Sequence, residues 1–141
     1  MNIALIANDK RKELLVQFCT AYSGILRVHS LCATNSTGKL IAEATRLPIT
    51  LYPPGSQGGV QRIAARVAYN EIDMLLYFRD PQGQGTSDDE DFDSITRLCD
   101  SFNIPFATNI ATAEVLIQGL RRGDLGWRDI VNPMAGKATI G

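Results

Sequence analysis

Histidine occurs once in this chain and cysteine three times, and they never gather. His29 stands alone at the start of an apolar run, away from any polar loop. Cys19, Cys32 and Cys99 are widely spaced, with no CxxC pair and no histidine beside them. This pattern offers neither a zinc site nor a disulfide framework, and it reads as buried thiols in a reducing compartment. A surplus of charge is missing as well. The formal net charge is −1, which gives no basic field for a nucleic-acid backbone. The tightest basic group, Lys10, Arg11 and Lys12, reads as a solvated helix face. No apolar stretch approaches the roughly 20 residues that span a bilayer. The N-terminus enters a short apolar run directly, without a basic segment or a small-residue cleavage site. The expectation is a cytoplasmic protein that binds no nucleic acid, membrane or metal and carries no cofactor.

What is present is balanced. With 45% apolar and 21% charged residues over 141 positions, the chain has the makings of one domain, residues 1–141, around one core. Short apolar runs alternate with helical periodicity, the mark of βαβ units and a parallel sheet. Strands are expected over Asn2 to Ala7, Val28 to Ala33, Ile49 to Tyr52, Ile72 to Phe78 and Pro105 to Thr108. Helical faces fall at Leu14, Leu15, Phe18 and Tyr22, then at Leu40, Ile41 and Ala44 in a helix from about Gly38. Further helices present Ile63, Ala64 and Val67, then span Asp91 to Phe102 and Ala111 to Leu120. The fold class is α/β, a three-layer doubly wound sheet, mostly parallel.

Each strand ends in polar residues. Asn8-Asp9 follows the first, Thr34-Asn35-Ser36-Thr37-Gly38 the second, and Pro53 to Gly59 the third. Arg79-Asp80-Pro81 follows the fourth and Asn109 the fifth. In an open parallel sheet these segments share the carboxyl edge, where such folds bind ligands. Hydroxyls, glycines and helix N-termini together favour negative charge there, so the pattern suggests a small anion such as phosphate. Taken singly, each segment reads equally as a helix cap. The acidic run Asp88, Asp89, Glu90 and Asp91 lacks the interleaved glycine of a calcium loop, and reads as the start of a helix.

Five segments carry a more specific signal. IALIANDK, ATNSTG, GSQGGVQ, YFRDP and PFATNIATAE resemble, in order and over nearly the whole chain, the signature segments of the methylglyoxal synthase family. The resemblance implies the same fold, which also occurs as a regulatory domain of carbamoyl phosphate synthetase. It implies a reaction too: a carboxylate base deprotonates dihydroxyacetone phosphate, a histidine helps to stabilise the enediolate, and phosphate departs from a cradle. Lys12, Thr34, Ser36, Thr37, Gly38 and Gly55 correspond to that cradle. Asn35 stands for a family glycine and Pro54 for a serine, so the cradle is altered but usable.

The reactive centre departs further. Where the resemblance places the aspartate base, directly after Gly58 and Gly59, this chain has Val60. Two family histidines correspond to Asn8 and Ser87, and a nearby family aspartate to Glu90. Asp9 and Asp80 persist. The remaining carboxylates, Asp80, Glu90 and Asp9, are the catalytic candidates, with Asp89 near them. Asn8, Gly58, Gly59 and Ser87 are expected around the substrate. The resemblance also implies a homo-oligomer, commonly a hexamer, and apolar Trp127, Ile130, Val131 and Met134 offer a surface for one. The expectation is a binder of a small phosphorylated metabolite with weak or lost lyase activity. An active synthase with a rearranged base, or a subunit that works only through assembly, are the alternatives.

Overall fold

A computed structural model describes the backbone of residues 1–82 and 87–131, with all of their side chains except those of Ser87, Asp88 and Val131. Five strands form one sheet: β1 (Asn2–Ala7), β2 (Ser30–Thr34), β3 (Ile49–Tyr52), β4 (Met74–Phe78) and β5 (Phe106–Ala107). Their order is β3-β2-β1-β4-β5, and every pairing is parallel. The chain leaves β1 toward β2 and β3, then crosses back to place β4 on the other side of β1. The switch point of this doubly wound sheet therefore lies between the carboxyl ends of β1 and β4.

From Ile3 to Ala7 in β1 and from Met74 to Phe78 in β4 the residues are buried and uncharged because both faces of these strands are covered. On one face, Ile3, Leu5, Met74, Leu76 and Phe78 meet α1 (Lys12–Ala21), α3 (Asn35–Thr45) and α6 (Ile110–Arg122). On the other, Ala4, Ile6, Leu75 and Tyr77 meet α4 (Gly59–Ala68) and α5 (Ser87–Ser101). The helices supply the matching stripes: Leu15, Phe18 and Cys19 from α1, Ile63 and Val67 from α4, Ile95 and Cys99 from α5. Edge strand β3 is only half covered, and Leu51 is 39% exposed. A short helix, α2 (Ser23–Leu26), takes up chain that the sequence pattern had left unassigned. Val28, expected inside β2, lies before it and is 79% exposed.

Two other boundaries differ from expectation in ways that bear on function. The Thr34–Gly38 stretch is no loop: β2 runs through Thr34 and α3 begins at Asn35. The hydroxyl-rich residues therefore form the first turn of a helix. Likewise α5 begins at Ser87 rather than Asp91, so the acidic run occupies its first turn, where the helix dipole favours negative charge.

The opposite edge of the sheet is closed by one buried cation. Arg128, at the start of α7 (Arg128–Val131), donates to Asp73 Oδ1 (3.1 Å), Asn70 Oδ1 (3.0 Å), and the carbonyls of Ile72, Phe102 and Asn103. These contacts engage every N–H-bearing nitrogen of the guanidinium, which makes its burial tolerable. The other oxygen of Asp73 accepts from the Asn2 backbone N–H at 2.8 Å, so the same ion pair also pins the start of β1. His29 lies at this amino-terminal edge, its Nδ1 3.0 Å from the Met1 amino group. Burial, then the neighbouring amino charge, hold its pKa below the usual histidine value. Trp127 and Ile130 are exposed as expected, at 40% and 79%. Gly83, Gly85, Met134 and the side chain of Val131 lie outside the described residues. Among the described residues no helix is long and apolar enough to cross a membrane.

Candidate functional site

A cavity of about 210 Å³ opens at the switch point. That is smaller than the roughly 300–1,000 Å³ of pockets for drug-sized ligands, and suits a small metabolite. The end of β1 contributes Ile6 and Ala7, and the turn after it Asn8 and Asp9. The end of β2 and the first turn of α3 contribute Thr34, Ser36 and Thr37. The segment after β3 contributes Pro54, Gly55 and Ser56, and α4 contributes Val60.

Among the described residues the cavity holds one cation, one buried unpartnered hydroxyl and one helix N-terminus without a side-chain cap. Lys12 opens α1 and turns its ammonium inward, where it donates to Ser36 Oγ at 3.0 Å and pairs with Asp9 Oδ1 at 2.7 Å. Lysine carries three N–H donors, so one remains for a ligand. Thr37 is fully buried, and among the described residues its Oγ1 is the one buried side-chain oxygen or nitrogen without a hydrogen-bond partner. Its hydroxyl is therefore free of other side chains and backbone and can turn toward a ligand. Thr34, the N-cap of α3, is extended at φ −67°, ψ 150°, and its side chain makes no capping bond. The first N–H groups of this 11-residue helix thus lack the side-chain oxygen that usually covers them. Ammonium, hydroxyl and helix N-terminus all favour an anion.

The other candidate residues separate into those that line the cavity and those that shape it. Of the expected cradle, Lys12, Thr34, Ser36, Thr37 and Gly55 line it. Gly38 acts from behind: a Cβ there would stand 2.3 Å from Leu51 Cδ2, so its bareness lets α3 lie against β3. Gly58 and Gly59 do not line the cavity. Gly58 has φ +88°, which starts α4 in a left-handed conformation, and a Cβ on Gly59 would overlap the Pro53 carbonyl oxygen at 1.8 Å. Together they turn the chain tightly enough to bring Val60 inward.

Among the carboxylates, Asp9 lines the cavity, but its side chain is 92% exposed and bound to Lys12. Asp80 does not line it. Its N–H donates to Asn8 Oδ1 at 2.8 Å, and its own carboxylate accepts from the Gln82 N–H at 3.0 Å, forming a turn beyond β4. Glu90 opens on a separate surface depression with Asp93 and Arg97. Asp89 pairs with Arg79 at 3.2 Å, and the Arg79 guanidinium also lies 4.4 Å from the Phe92 ring centroid, fixing the start of α5. Ser87 is the first residue of that helix, and its side chain lies outside the described residues. Among the described residues no group of three metal-ligating side chains occurs. Ile6, Tyr77 and Ser56 also line the cavity, and the sequence reading missed them. The two strand residues looked like ordinary core, and only the register of β1 against β4 shows that they meet under the opening.

The class is an α/β domain with an open parallel sheet, which gathers a lysine, a buried hydroxyl and a helix N-terminus at the carboxyl ends of its strands. Residues 14–108 match the MGS-like domain family. A methylglyoxal synthase of Caldicellulosiruptor saccharolyticus is 56% identical over 133 residues, covering 94% of each chain. Another, of Geobacillus sp. strain WCH70, is 47% identical over 137 residues, covering 97% of each. The crystal structure of the methylglyoxal synthase from Elizabethkingia anophelis NUHP1 is similar at a TM-score of 0.72 and 32% identity, over 82% of this chain and 76% of that one. The chain belongs to the methylglyoxal synthase family.

Proposed function

We propose that this protein binds a small phosphorylated or other anionic metabolite, dihydroxyacetone phosphate or similar, and that its lyase activity is weak or lost. The composition of the cavity carries this reading. Lys12, the unpartnered Thr37 hydroxyl and the uncapped α3 suit a phosphate, while the wall beside them is the isopropyl group of Val60, only 5% exposed. The family resemblance puts the proton-abstracting aspartate at that position, and valine accepts no proton. General-base catalysis contributes about a hundredfold to ten-thousandfold, and the imidazole positions are occupied by Asn8 and Ser87. A protein of this kind serves as a cytoplasmic sensor or regulatory partner, in a homo-oligomer as the family resemblance implies.

A second reading is an active methylglyoxal synthase. It is favoured by the names of relatives as similar as 56% and by Asp9, whose carboxylate lines the cavity. The test is methylglyoxal release from dihydroxyacetone phosphate by the purified protein and by a Val60→Asp variant, with thermal unfolding measured in and out of phosphate. The proposal expects a phosphate-dependent rise in Tm, no product above a blank from the natural protein, and product from the variant. Clear turnover by the natural protein would establish the second reading, with Asp9→Asn as the next variant. No thermal shift with phosphate would leave a subunit that works through assembly.

A further inference from the structure

One wall of the cavity is apolar. Ile6 and Val60 belong to the core cluster under α4, are 3% and 5% exposed, and both line the opening. Val60 also reaches the anion end, since its Cγ2 lies 3.5 Å from where a Cβ on Gly55 would stand. Among the polar side chains of the cavity are Lys12, Asn8, Asp9 and four Ser or Thr hydroxyls, which accept as well as donate. The Lys12 ammonium donates only, and Asn8 has its oxygen engaged by the Asp80 N–H, which leaves its NH2 group. Asp9 is the carboxylate of the cavity, and Lys12 holds it. A ligand's oxygen acceptors are well provided for. A ligand's own hydroxyl, placed against Ile6 and Val60, is stripped of water and finds methyl groups.

Resting on the anion-binding reading above, we infer that Val60 is a specificity-determining residue. It selects phosphate monoesters or phosphonates with a short, unhydroxylated carbon chain, against polyol phosphates of equal length. This narrows the proposed ligand class, because a hydroxylated triose phosphate becomes a poorer fit than its deoxygenated counterpart. An apolar pocket rejects an added hydroxyl by about a hundredfold at most, so the discrimination should fall between about tenfold and a hundredfold.

The test uses n-propyl phosphate and glycerol 3-phosphate, which share a phosphate and a three-carbon chain and differ in two hydroxyls, with inorganic phosphate as the third probe. Kd is measured by calorimetry on the natural protein and on Val60→Thr, which keeps the side-chain shape and adds a hydroxyl partner. The expected result is tighter binding of propyl phosphate by at least about tenfold, and a smaller ratio in the variant. Equal affinities in the natural protein, or a ratio that a folded Val60→Thr leaves intact, would overturn the inference. Should the variant not fold, the ratio in the natural protein decides. Failure of all three probes, inorganic phosphate included, would overturn the anion-binding reading itself. Phosphate binding without discrimination removes only the role of Val60.

Discussion

The Lys12 ammonium lies 3.0 Å from the Ser36 hydroxyl and so joins the first turns of α1 and α3, which leave two adjacent strands. Asp9 holds the same nitrogen from the rim at 2.7 Å. The cation is therefore positioned before any ligand arrives, with little side-chain entropy left to lose on binding.

Replacing Lys12 with methionine keeps the aliphatic stem and removes the charge. A charge-assisted hydrogen bond contributes about 1.5–3 kcal/mol, so affinity for phosphate should fall by roughly tenfold to a hundredfold. Calorimetric titration with inorganic phosphate measures it, and an unchanged Kd would remove Lys12 from the site.

Thr37→Val separates stability from binding. An isosteric methyl removes a hydroxyl that would otherwise donate to a bound anion, while the ligand-free protein should stay folded. The rise in Tm on adding phosphate should shrink at the same time. An unchanged phosphate-dependent shift in the folded variant would remove Thr37 from the site.

Gly59→Ala tests the turn that presents Val60. An added Cβ would meet the Pro53 carbonyl oxygen at 1.8 Å, and neither backbone can yield cheaply. The loss should be about 2 kcal/mol or more in denaturant unfolding, whereas Gly24→Ala, where nothing lies within 4 Å, should cost no stability. Equal stabilities for the two variants would show that the turn is looser than the packing implies.

Burial pushes the Cys19 and Cys99 thiols up to about 12, against an ordinary value of 9.0. Both stay neutral at pH 8, so a thiolate-directed reagent should react with them only on unfolding. The unfolded chain ionises near pH 9 while the folded one does not. The unfolded state then binds fewer protons, and stability should fall as pH rises from about 9 toward 12. Denaturant unfolding at pH 8 and pH 10 checks the sign.

The strands were legible because β1 and β4 are buried on both faces and read as unbroken apolar runs. The gathering of Asn8, Thr34 to Thr37 and Gly55 at one edge followed from parallel topology alone. Two things were not legible. The ATNSTG segment looks like a loop because serine, threonine and asparagine have poor helix propensity, yet α3 begins there, its apolar face packed on the sheet. Glu90 was a candidate carboxylate because it stands where the resemblance places an aspartate, and in an α5 that starts at Ser87 it opens on a surface depression with Asp93 and Arg97. Nor did any local pattern mark Arg128, whose partners lie 25 to 58 positions away.

That distance has a consequence for any shortened chain. A fragment ending before Arg128 would keep all five strands, yet the Asp73 carboxylate, only 9% exposed, would have no guanidinium to receive it. The tail is therefore a counter-charge for the sheet as well as a stretch of surface.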